Sequence, residues 1–164
     1  MEQKKGFFYW MNLIEDIFLG VGFILIIAVA FLQVIMRVVV NDSLSWSEEL
    51  VRYVYIWLCW VGVSLAERRN EHIKLTFITE RFSVRVQKVI DICVSVILIV
   101  LSCWLIYQGI TLVLSLQQTG AASVALKIPM HLVYLSMPVG MLLFGIRVVM
   151  KLVHQLRDFG KAEA

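Results

Sequence analysis

The chain has 164 residues, of which 60% are hydrophobic and 16% charged, with a mean hydropathy of +0.85. Soluble domains carry about 45–50% apolar and about 25% charged residues, so a water-soluble core of this size is excluded and a membrane protein is indicated. The net charge of +3, from 15 basic and 12 acidic residues, gives no dense basic face for nucleic acid. The length leaves no room for a soluble catalytic domain beside four spans.

Phe7, Trp10, Met11 and Ile14 recur at helical spacing, with Asn12, Glu15 and Asp16 on the other side. This is an amphipathic N-terminal segment, which either lies in the membrane interface or extends the first span. Ile17 to Met36 is 20 residues without a charge, prolonged past Arg37 by Val38 to Val40. About 20 apolar residues cross a bilayer, so span one is predicted over 17–40. It follows Lys4 and Lys5 and ends in no A-x-A site, which reads as an uncleaved signal anchor.

Span two is predicted over 46–66, with charges in its first two turns. Ser45-Trp46-Ser47-Glu48 has the form of a capping box, and Glu48 and Glu49 suit the positive end of the helix dipole. The connection 67–91 carries Ile73, Phe77, Ile78, Phe82, Val86 and Val89 as an apolar stripe among basic residues. It is expected to lie on the membrane surface against anionic lipid.

Ile92 to Leu126 is 35 uncharged residues, too many for one span and too few for two. Gln117-Gln118-Thr119-Gly120 interrupts it, so span three is placed over 92–116 and residues 117–127 form a linker. Span four follows over 129–149, from Pro129 in its first turn. Pro138 predicts a kink, and Gly140 and Gly145 allow close approach of a neighbouring helix. The fold class is therefore all-α, a single domain of four transmembrane helices.

Twelve basic residues flank the termini and the 67–91 connection, against Arg37, Arg52 and Lys127 on the other side. By the positive-inside rule both termini are cytoplasmic.

The chemistry-bearing residues gather at the start of span two. Glu48 and Arg52, four apart with the acid first, have the favourable order for a helical ion pair. Arg52 lies roughly 9 Å deeper than Trp46 along the axis, where a charge must pair, snorkel or face protein. Trp46 and Tyr53 suit the interface. Trp57 and Trp60 lie deeper and suit packing, and Arg37 is within topological reach of Asp42 or the Glu48/Glu49 pair. These residues are candidates for stabilising the helices or meeting a partner subunit. Phe7, Trp10, Arg68, Arg69, His72, Lys74 and Arg81 are candidates for the membrane surface.

No cofactor or metal site is expected. His72, His131 and His154 fall at different depths and cannot pair as haem ligands. Cys59, Cys93 and Cys103 have no C-x-x-C spacing and read as buried free thiols. Phosphate-loop, zinc and nucleophile motifs are missing from the sequence, so an enzyme is not expected.

The run from Trp46 to Leu58, followed by Gly62, Ala66, Arg68 and His72-Ile73, resembles the small membrane subunit of tripartite ATP-independent periplasmic (TRAP) transporters. Lys127-Ile128-Pro129, Pro138 and Gly140 fit the same pattern. The resemblance implies a DctQ-like small permease of a bacterial inner membrane. Such a subunit supports a large multi-span permease that moves an organic acid anion with sodium, supplied by a periplasmic substrate-binding protein that the external loops could touch. The substrate and ion sites would belong to the large partner. The alternative reading is an autonomous four-helix homo-oligomeric exporter or channel.

Overall fold

In a computed structural model, residues 3–40, 44–68 and 84–160 are described. Helix α1 (Gln3–Ile35) runs without a break from the amphipathic segment into span one and ends in a π-helical turn, Met36–Val40. The N-terminal segment is thus an extension of span one, in a helix of 33 residues. Helix α2 is Ser45–Arg68 and α3 is Val84–Thr119. The fourth span comprises a short α4 (Met130–Tyr134) and a long α5 (Ser136–Gly160). Among the described residues, four helices are long and apolar enough to cross a membrane.

Helix α3 begins at Val84, eight residues before span three as read from the sequence, so Val86 and Val89 are exposed on a helix. The stripe residues Ile73, Phe77, Ile78 and Phe82 lie outside the described residues. Just past the end of α3 stands Gly120, whose φ of +63° is the left-handed conformation that glycine adopts freely. Its N–H returns to the Gln117 carbonyl at 3.3 Å.

Residues 120–129 then fold back tightly. Ser123 N–H donates to the Ile128 carbonyl and Met130 N–H to the Ala121 carbonyl, both at 2.9 Å, while Ala122 bridges Pro129. The break between α4 and α5 falls at Leu135, nearer the start of the span than the predicted kink. Pro138 has no N–H for the Tyr134 carbonyl, and its ring crowds that turn.

The helices stand in the order α1–α2–α5–α3. Half of the most apolar window of span four is buried, against 11% for span three, so α5 is central and α3 flanks it. Leu19, Leu58 and Val61 form the core between α1 and α2, with Trp57 against it. Met141, Phe144 and Val148 form the second core, among Trp60, Val63, Leu98 and Ile106. A Cβ on Gly140 would lie 2.5 Å from the Trp60 carbonyl oxygen. Only glycine lets α2 and α5 approach this closely, and contact of this kind drives helix association in lipid.

Because the helices form a row, most apolar side chains point outward, as lipid requires. The cysteines follow this rule. Cys59, Cys93 and Cys103 are exposed on the outer helix surfaces, not buried within the protein as the sequence suggested.

Candidate functional site

Polar side chains gather at the two ends of the row. At the end carrying the chain termini, Arg147 of α5 reaches across to α1. Its Nη2 donates to Glu15 Oε2 at 2.5 Å and to Asn12 Oδ1 at 2.9 Å. The Arg147 and Glu15 side chains are 6% and 5% exposed. Ser64 of α2, fully buried, donates to the other Glu15 oxygen at 3.5 Å.

Around this centre, Arg68 of α2 pairs with Asp16 of α1 at 2.5 Å and donates to the Asn12 carbonyl at 3.3 Å. Lys151 of α5 pairs with Glu67 of α2 at 2.7 Å. Among the described residues, Glu15, Asp16 and Glu67 pair with Arg147, Arg68 and Lys151 respectively. Pairing of this sort is what keeps charge tolerable inside a membrane protein. Ser95 of α3 donates to Gln155 of α5 at 3.1 Å and extends the polar contacts to the fourth helix.

At the opposite end, Glu48 accepts from Gln33 of α1 at 3.0 Å and forms no ion pair with Arg52 among the described residues. Among the described residues, the Glu48 carboxylate is seen to accept from Gln33 and not from the Ser45 amide as a capping box requires. The Glu49 carboxylate accepts the backbone N–H groups of Val124, Ala125 and Leu126 at 3.0–3.2 Å. Three successive amides converging on an anion form a nest, and here the occupant belongs to the chain itself. Glu49 thereby fastens the 120–129 loop to the start of α2.

The other sequence-predicted residues fall into three groups. Tyr53 is buried. Trp57 faces α1, with its ring edge-on to Phe18 at 6.3 Å, and Trp60 faces α5. Arg37, Trp46 and Arg52 are exposed, and Asp42 lies outside the described residues. Trp10 is exposed beside Tyr9 on the α1 extension that also carries Phe7. Arg68 turns to α1, where it meets Asp16 and the Asn12 carbonyl. Arg69, His72, Lys74 and Arg81 lie outside the described residues.

Sequence reasoning missed Glu15, Asp16, Glu67, Arg147 and Lys151 as a group. The available signal was a balance of three acids and three bases at one end of three predicted spans, with Arg147 and Lys151 four apart on one helix face.

Residues 26–158 match the family described as tripartite ATP-independent periplasmic transporters, DctQ component. The chain belongs to the DctQ family. That family is a transporter membrane component, not an enzyme, and with four apolar helices it makes this a multi-pass inner-membrane protein.

Among relatives of this DctQ chain, the isethionate TRAP transporter permease protein DctMQ of Oleidesulfovibrio alaskensis is 28% identical. That match covers 99% of the chain but only 27% of the relative, so the chain spans about a quarter of that protein's length. The ectoine TRAP transporter small permease protein TeaB of Halomonas elongata is 27% identical over 87% of the chain and 74% of its own length. The sialic acid TRAP transporter small permease protein SiaQ of Vibrio cholerae is 34% identical over 43% of the chain and 41% of its own length.

Proposed function

We propose that this DctQ-family chain is the small membrane subunit of a sodium-coupled transporter that takes up an organic acid anion. It holds in place a large multi-span permease subunit that carries the substrate and ion sites, and a periplasmic binding protein delivers the substrate. The observation that carries this reading is the use made of charge within the spans. Glu15, Asp16, Glu67, Arg68, Arg147 and Lys151 are matched in pairs that join helix to helix. Charges committed to such pairs brace a scaffold and are not left to bind a moving ion.

The termini lie on the cytoplasmic side, supported by the twelve-to-three bias of basic residues. In that orientation Glu48, Glu49 and Tyr53 brace the outer half of the row, and Trp57 and Trp60 pack its middle. Arg37 and Trp46 sit at the level of the outer headgroups, where cationic and aromatic side chains are favoured, and Arg52, about 9 Å deeper, snorkels up to them. Trp10 and Phe7 anchor the inner end, and the 120–129 loop faces the binding protein.

The test is purification of the tagged chain in mild detergent from cells that also express the large permease. The large permease should co-purify, and the chain alone in liposomes should pass no organic acid. A partner-free homo-oligomer that conducts on its own would favour the exporter or channel reading instead.

A further inference from the structure

The face of α3 turned away from α5 carries a polar stripe. Ser102 and Gly109 of α3 are buried, Gly145 of α5 lying against Ser102 and Pro138 of α5 against Gly109. On the opposite side of the same helix, Trp104, Gln108, Thr111, Ser115 and Gln118 follow one another at spacings of four, three, four and three. That is one continuous face of an α-helix, and all five residues are exposed.

Gln108 lies eleven residues before Thr119, the last residue of the helix, or about 16 Å along the axis. With a hydrocarbon layer about 30 Å thick, its amide sits deep in the membrane, with no hydrogen-bond partner among the described residues. Thr111 satisfies its hydroxyl proton on the Tyr107 carbonyl at 2.9 Å, and Ser115 makes no such bond among the described residues. Trp104 and Tyr107, 55% and 68% exposed, border the stripe.

Lipid tails offer a carboxamide no hydrogen bond, so a row of amide and hydroxyl groups at this depth calls for a polar-bearing protein helix. We infer that the Trp104–Gln118 face of α3 is the docking surface for a transmembrane helix of the large permease subunit, whose own polar side chains bond Gln108 and Ser115. The inference rests on the function proposed above. It chooses the large permease over a second copy because the DctMQ relative continues for about three quarters of its length beyond the stretch this chain matches. In that relative a far larger permease is joined to the DctQ-like portion.

A photoreactive benzophenone residue placed at Gln108 or Ser115, in the chain co-expressed with the large permease, tests the inference. Ultraviolet light should yield a product of the two different subunits. A product of two copies of this chain, or lipid adducts alone, would overturn it.

In parallel, Gln108→Leu, Thr111→Val and Ser115→Ala combined replace only outward-facing groups and leave the α3–α5 contact intact. The large permease retained on this variant should fall by roughly ten-fold or more, the scale of several lost interhelical hydrogen bonds. Undiminished recovery would overturn the assignment of this face while leaving the proposed function standing. Failure of the unaltered chain to bring down any large permease would overturn both.

Discussion

Glu15 and Arg147 sit 132 positions apart, on helices separated by α2 in the row. Their bond has a cost as well as a use, since both charges leave water and are repaid only while each has the other. Arg147 Nε is already buried without a hydrogen bond, so its other nitrogens depend heavily on Glu15 and Asn12. Glu15→Gln alone should therefore lower stability by about 3–5 kcal/mol, read as a reduced thermal midpoint in detergent. Glu15→Leu combined with Arg147→Met, which removes both charges and keeps the volume, should recover most of the loss. Equal stability of the single variant and the unaltered chain would show that the pair does not brace the helices.

Whole helices were more legible than their partners. A span must supply about 20 apolar residues whatever it packs against, and the runs around Ile17–Met36 and Ile92–Leu116 carry that requirement on their face. The order α1–α2–α5–α3 depends instead on where one backbone can approach another, as Gly140 does at Trp60, and such contacts leave no periodic signal. Gly62 and Gly140 make the point testable. An added Cβ meets nothing within 4 Å at Gly62 but the Trp60 backbone at Gly140. Gly140→Ala should cost about 1–3 kcal/mol by overpacking, and Gly62→Ala should leave stability equal or higher by up to about 1 kcal/mol. Thermal unfolding of the two variants side by side decides it, and equal behaviour would mean that α2 and α5 do not meet closely at Gly140.

The candidate site was legible only in part for the same reason. Local spacing suggested a Glu48–Arg52 pair, but Gln33 on another helix takes Glu48 instead, leaving Arg52 exposed. The importance of Glu49 was visible, yet its partners are backbone amides of a distant loop, which no side-chain pattern encodes. Gln108 passed unnoticed because spans were delimited by charge, and an amide carries none.

At the scale of the whole molecule, the row of helices spends its intramembrane charges on holding itself together and turns broad apolar flanks outward. Such a layer suits a part that stays fixed while a larger neighbour moves substrate. Uptake of a labelled carboxylate substrate into proteoliposomes, driven by an inward sodium gradient and supplied by the binding protein, measures this directly. Vesicles holding both this chain and the large permease should accumulate substrate, and vesicles holding either one alone should not. Accumulation with this chain alone, or undiminished accumulation when it is left out, would contradict its role as the supporting subunit.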